Sequence, residues 1–150
     1  MIVAIAADHA GRPLLDLVAQ VVHAAGHEPL LVGPTTDDAQ DDYPDIARAV
    51  GLAVVAGAAE RGVALCGSGA GVSVAASKMR GIRASVAHDV YTAHQMVEHD
   101  AVNVLTIGAR VIGPEVAAEV VAAFVRASFS GEERHVRRLA KLAEMEAAGR

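Results

Sequence analysis

The sequence predicts an α/β fold: a three-layer αβα, Rossmann-like arrangement with a five-stranded parallel sheet and a C-terminal helix. Three observations point there. Five short apolar runs recur along the chain with helical stretches between them. Such alternation builds right-handed βαβ units, hence an open parallel sheet with helices on both faces. Hydrophobic residues make up 53% of the chain but aromatic ones only 3%, with no Trp. The core is therefore one of Ala, Val, Leu and Ile, which suits helices on a buried parallel sheet. Finally, 150 residues are the length of one domain, 1–150, with a sizeable core.

The elements follow in order. Ile2–Ala6 is the first strand. Pro13–Ala25 reads as a helix, with Leu14, Val18, Val21 and Val22 on one face and Gly26 as its stop. Pro29–Val32 is the second strand. Pro34–Asp42, with four Asp, is a loop leading into Tyr43-Pro44; it is a lid or a solvated connection, and composition favours the connection. Asp45–Ala59 is the second helix and Val63–Cys66 the third strand. Val72–Lys78 begins a third helix closed by Gly81, and Ala84–Val86 is the fourth strand. Val90–His99 and Pro114–Ser128 flank the fifth strand, Val104–Ile107. The last stretch, Glu132–Ala148, is a charged amphipathic helix expected to turn Val136, Leu139, Ala140 and Ala143 inward.

Charge and composition exclude several classes. A net charge of −5 argues against nucleic acid as a partner. No run approaches the ~20 apolar residues of a membrane helix, and MIVAIAADHAG lacks the basic start and long apolar stretch of a signal peptide. A single Cys allows no internal disulfide. The expected location is the cytoplasm.

Ligands of open parallel sheets bind beyond the carboxyl ends of the strands. Polar residues cluster there: Asp8-His9 after the first run, Cys66-Gly67-Ser68 after the third, and His88-Asp89 after the fourth. The stretch GVALCGSGAGVSVAASK, 62–78, is the centre of interest. Strand, glycine loop and helix together can bind phosphate through backbone N–H groups. A dinucleotide fingerprint needs a third glycine where Val72 or Val74 stands, and the G-K-[ST] of a mononucleotide loop is missing. A lone cysteine at a strand end is commonly an inert core residue. Beside a helix N-terminus, however, positive potential favours a thiolate, and neighbouring N–H groups can hold an oxyanion. Ser68 adds a hydroxyl that both donates and accepts. That set suits proton abstraction next to a carbonyl, although glycines and serine are also ordinary turn residues.

Arg134 and Arg138 lie four apart, on one face of the last helix. Paired guanidiniums bind phosphate well; the alternative is a solvated helix face. Arg110, after the fifth strand, and His9 are further candidates. His94 and His99 are five apart and His88 adjoins Asp89, and neither C-x-x-C nor H-E-x-x-H occurs. No metal site and no cofactor are expected.

Taken together, Asp8-His9-Ala10-Gly11, Asp42-Tyr43-Pro44, Cys66-Gly67-Ser68-Gly69-Ala70-Gly71, Glu98-His99-Asp100, and Gly108 to Gly113 resemble the type B ribose-5-phosphate isomerase family. Its superfamily also holds the galactose-6-phosphate isomerase subunits. The likeness continues through Gly131 to Arg138 and covers nearly the whole chain. It implies a metal-free and cofactor-free aldose–ketose isomerase acting on a phosphorylated sugar through an enediolate. By that resemblance Cys66 is the base, Ser68 relays protons between sugar oxygens, and the N–H groups of Gly67, Gly69, Ala70 and Gly71 stabilise the enediolate. Asp8 and His99 match the ring-opening pair. His9, Arg110, Arg134 and Arg138 match the phosphate clamp, and Tyr43 lines the pocket. The resemblance also implies a homodimer, or a dimer-based tetramer, with His99 of one subunit serving the Cys66 loop of its partner. Relatives without the cysteine use a Glu where this chain has Val72.

One position departs from the pattern. Many members carry His-Asn where this chain has His99-Asp100. A carboxylate accepts where an amide can donate, so Asp100 leaves the choice of sugar open. Ribose 5-phosphate and ribulose 5-phosphate are the expected pair. Four- or six-carbon phosphates (erythrulose, allose or galactose) are the alternative within the class. A non-catalytic nucleotide- or phosphate-binding module is the alternative outside it.

Overall fold

The computed structural model describes residues 1–34 and 41–149; most of the loop from Pro34 to Asp42, with its lid reading, lies outside the described residues. Five parallel strands form one sheet in the order β2-β1-β3-β5-β4. They are β1 (Ile2–Ala7), β2 (Glu28–Leu31), β3 (Arg61–Cys66), β4 (Ala84–Val86) and β5 (Val104–Gly108). Around them lie α1 (Leu15–Ala24), α2 (Tyr43–Val55), α3 (Ala70–Ala76), α4 (Val90–Asp100), α5 (Pro114–Arg126) and α6 (Glu133–Ala148). The α/β, Rossmann-like class expected from the alternation is the class observed.

Side-chain alternation divides the core between the two faces of the sheet. Val3 and Ile5 meet Val18 and Val22 of α1, Met96 and Val97 of α4, and Val121 and Phe124 of α5. Ala4, Ala6 and Ala64 face Ile46 and Val50 of α2 and Val72 and Ala76 of α3. The small residues on this second face let α2 come close. A Cβ at Gly62 would lie 2.2 Å from Val50 Cγ1. Successive connections diverge between β1, which is followed by β2 on one side, and β3, from which the chain moves to the other. Their carboxyl ends therefore frame the crevice where such sheets hold ligands.

Element boundaries move by a few residues, for local reasons. The first helical stretch begins as a 3₁₀ turn at Arg12–Leu14 before α1. The second helix starts at Tyr43, since Pro44 fits the first turn, where its missing N–H costs nothing. It stops at Val55, ahead of Gly57 in the left-handed region (φ +75°). Arg61, at the start of β3, closes the far end of α5: its guanidinium donates to the carbonyls of Phe124 and of Ala127, the latter at 2.7 Å, and lies 5.3 Å from the Phe124 ring centre.

The face expected to be inward on the last helix is not buried. Val136 and Leu142 are 49% and 44% exposed, Ala140 and Ala143 are exposed, Leu139 is half-buried, and only His135 is buried. By the time the chain reaches α6, α1, α4 and α5 cover one face of the sheet and α2 and α3 the other. Helix α6 rests on the end of α4 and reaches Gly81, whose N–H donates to Glu146 at 2.8 Å. A cavity of about 270 Å³ separates Leu139, Leu142 and Ala143 from Ile82. No described helix is long and apolar enough to cross a membrane.

Candidate active site

The last residue of β3, Cys66, is buried with 5% exposure. Its carbonyl accepts the Ala109 N–H at 2.9 Å, and the Gly67 carbonyl accepts the Arg110 N–H at 3.0 Å. The loop after β3 is thereby stitched to the chain leaving β5. Gly69 then reverses direction with φ +79°, a conformation open to glycine without strain, and delivers the chain into α3. This turn points the Gly69 N–H at Cys66 Sγ, 3.1 Å away. The sulfur is thus held as a hydrogen-bond acceptor. Ser68 is exposed, and its hydroxyl oxygen accepts the Ala70 N–H at 3.3 Å.

Two glycines make this possible by what they lack. A Cβ on Gly108 would stand 2.4 Å from the Ser68 carbonyl carbon, and one on Gly11 would stand 2.4 Å from that of Leu65. The loops after β1 and β3 thus lie directly on neighbouring backbone. Asp8, buried with 6% exposure, holds the first of these loops: its Oδ1 accepts from Ala10 N at 2.9 Å and Gly11 N at 2.8 Å. The Tyr43 ring lies against Gly71, where a Cβ would be 3.1 Å from two ring carbons.

These elements enclose a cavity of about 420 Å³ lined by Asp8, Ala10, Tyr43, Cys66, Gly67, Ser68, Gly71, Arg110 and Val111. The sequence-predicted residues Asp8, Tyr43, Cys66, Gly67, Ser68, Gly71 and Arg110 are thus brought together. Gly69 and Ala70 belong to the same loop, with their N–H groups taken by Cys66 Sγ and Ser68 Oγ. His9 is exposed at the end of β1 and is not a wall of the cavity.

His99, Asp100, Arg134 and Arg138 lie elsewhere. Helix α4 leaves the carboxyl end of β4 and returns over its eleven residues, about 16 Å, toward the amino end of β5. His99 and Asp100 close that helix, so they stand at the end of the sheet away from Cys66. There the His99 ring stacks on His135, centroids 4.2 Å apart and planes tilted by 35°. Arg134 and Arg138 are exposed on α6, and Arg134 Nε pairs with Glu132 at 2.9 Å.

His135 is a residue that the sequence reading missed. It is buried, shares a 2.7 Å hydrogen bond with Ser130 Oγ, and touches His99. Burial pushes its imidazole below the ordinary value, and His99 and Arg134 add to the effect. Only its place between Arg134 and Arg138 marked it in the sequence. His88 was noticed but not explained: its Nε2 accepts the Gly108 N–H at 2.9 Å. Asp89 caps α4, accepting from Thr92 N and Thr92 Oγ1 at 2.7 Å each, and these bonds hold its carboxyl below the usual range. Among the described residues, no group of three or more His, Cys, Asp or Glu converges in a way that could hold a metal ion.

Comparison with known proteins agrees with this geometry. The Ribose/Galactose Isomerase family model matches residues 3–142. Ribose-5-phosphate isomerase B of Escherichia coli is 38% identical over 145 residues, covering 96% of this chain and 95% of its own. D-erythrulose-4-phosphate isomerase of Pectobacterium atrosepticum is 43% identical over a shorter stretch of 89 residues, 59% of each chain. Among solved structures, ribose-5-phosphate isomerase B from Mycoplasma genitalium with bound ribulose-5-phosphate superposes with a TM-score of 0.90 at 33% identity, covering 97% of this chain and 96% of that one. With its family model matched from residue 3 to residue 142, the chain belongs to the ribose/galactose isomerases of type B and, with them, to the aldose–ketose isomerases.

Proposed function

We propose that the chain interconverts ribose 5-phosphate and ribulose 5-phosphate by proton transfer through an enediolate, with Cys66 as the base. The observation that carries this reading is the Gly69 N–H on Cys66 Sγ at 3.1 Å, within a cavity that Ser68 and Arg110 also line. The Cys66 thiolate takes the proton from C2 of the open-chain aldose and returns it to C1. Ser68 moves a proton between the two sugar oxygens, so the carbonyl passes from C1 to C2 with no net loss of atoms or charge. Gly67 and Gly71, which line the cavity, supply the N–H groups that stabilise the enediolate oxygen, since those of Gly69 and Ala70 are taken by Cys66 Sγ and Ser68 Oγ. Arg110 and His9, with Arg134 and Arg138, hold the phosphate, a remote group whose binding energy positions the reacting carbons.

His99 and the α6 arginines reach such a site from a second copy of the chain. Two features support a homodimer with shared sites: α4 carries His99 away from Cys66, and α6 exposes Val136, Leu142 and Met145. His99 of one subunit and Asp8 of the other then open the sugar ring. Inactive Cys66→Ala and His99→Ala chains, mixed and exchanged, should regain about a quarter of wild-type activity, since half the dimers hold one intact site. No recovery rejects the shared site. A free thiol base also suits the reducing cytoplasm.

A four-carbon substrate is the second reading, favoured by the match to the D-erythrulose-4-phosphate isomerase and by Asp100 beside His99. Measuring kcat/KM for ribose 5-phosphate, erythrulose 4-phosphate and six-carbon sugar phosphates ranks the two. A preference of tenfold or more for erythrulose 4-phosphate, about 1.4 kcal/mol, replaces the first reading by the second.

A further inference from the structure

The β4–β5 ladder ends just short of the loop that it supports. Pairing runs from Ala84 with Val104 to Val86 with Thr106, and the Ala87 N–H still donates to the Thr106 carbonyl at 3.2 Å. The Gly108 N–H, beyond that point, is taken by a side chain: His88 Nε2 accepts it at 2.9 Å. Gly108 is buried, so without this acceptor its N–H would lose water and gain nothing.

Gly108 is also where the Cys66 loop rests. It pairs in register with Cys66. A Cβ on it would meet Ser68 backbone at 2.4 Å, and one on Gly69 would lie 3.0 Å from the Gly108 nitrogen itself. Whatever fixes that nitrogen fixes the floor under Cys66, Ser68 and Gly69. We propose that His88 is a positioning residue for this loop, acting through the Gly108 N–H as the acceptor that anchors the end of β5. An amide N–H only donates, so Nε2 carries the lone pair and the ring proton resides on Nδ1. Asp89, next in the chain, is occupied with capping α4, so the two halves of the His88-Asp89 pair have separate tasks.

The test combines a spectroscopic arm with a kinetic one on the full chain, and only the kinetic arm rests on the isomerase reading. Long-range ¹H–¹⁵N correlation on histidine-labelled protein, assigned with His88→Gln, is expected to show His88 Nε2 unprotonated and Nδ1 protonated. A protonated Nε2 overturns the proposal. In kinetics, His88→Gln keeps an acceptor (Oε1) at similar reach, whereas His88→Leu has none. We expect kcat of His88→Leu to fall about 10- to 100-fold with KM within about threefold, and His88→Gln to stay within about threefold of wild type. Equal kcat in all three proteins, or equal loss in both variants, overturns it. If His88→Leu does not fold, the tautomer and the activity of His88→Gln still decide. If the wild type isomerises no sugar phosphate, the functional reading fails separately. The tautomer, and the rate of Cys66 alkylation by iodoacetamide, then decide: the rate is expected to match wild type in His88→Gln and to change in His88→Leu, and equal rates in all three proteins overturn the proposal.

Discussion

Replacing Gly108 by alanine tests the packing that shapes the site. The added methyl would sit 2.4 Å from the Ser68 carbonyl carbon, 2.6 Å from its oxygen and 2.7 Å from its Cα. All three are backbone atoms, which cannot rotate aside. Ordinary contact begins near 3.4 Å, so the loop carrying Ser68 must retreat by about 1 Å, and a misplacement of that size costs about 10²-fold in rate. Overpacking of this kind also costs about 1–3 kcal/mol, which lowers Tm by roughly 2–12 °C in a chain of this length. The assay is kcat on the preferred sugar phosphate beside a thermal melt. Gly113→Ala is the control, because nothing lies within 4 Å of its Cβ and its φ is −77°. The control should stay within about 1 kcal/mol of wild type. Gly108→Ala with wild-type kcat and Tm would refute the claim that this contact holds the loop.

Two further outcomes follow from groups outside the cavity. Arg61→Lys loses the fork that serves two carbonyls at the end of α5, and a urea melt should register a loss of about 1–3 kcal/mol; an unchanged midpoint contradicts it. His135 gives a pH dependence whose sign is fixed. Burial, then His99 and Arg134, push it below its ordinary value of 6.5. As pH falls below 6.5 the unfolded chain binds a proton that the folded chain does not, so stability is full above that value and declines beneath it. The urea midpoint should drop between about pH 7.5 and 5.5, and His135→Gln should flatten part of that slope. A slope that is the same in both proteins contradicts the assignment.

Much of the site was readable in the chain because it is local. Cys66 to Gly71 lie within one turn between a strand and a helix, and the apolar run before them and the glycines within them have direct backbone meaning. The strand–helix alternation likewise foretold the sheet and its helical layers. What escaped the reading depends on contacts between distant segments. His135 meets His99 only because α6 crosses the end of α4, and His88 meets Gly108 across the last step of a ladder. The inward face assigned to α6 was an inference from periodicity, which shows that a helix has an apolar side but not what covers it. Val136 and Leu142 remain exposed because both faces of the sheet are already occupied. His99 and Cys66 illustrate the same limit: nothing in their spacing reveals that they stand at opposite ends of the sheet.

Cys66 is the group proposed to move the proton. Wild-type protein and Cys66→Ala, each given ribose 5-phosphate in deuterated water, can be followed by proton NMR. The wild type should form ribulose 5-phosphate, while Cys66→Ala, with its melting curve unchanged, should give neither product nor solvent exchange at the transferred position. Turnover by Cys66→Ala within about tenfold of wild type, a barrier change of only about 1.4 kcal/mol, would contradict the role of the thiol as base.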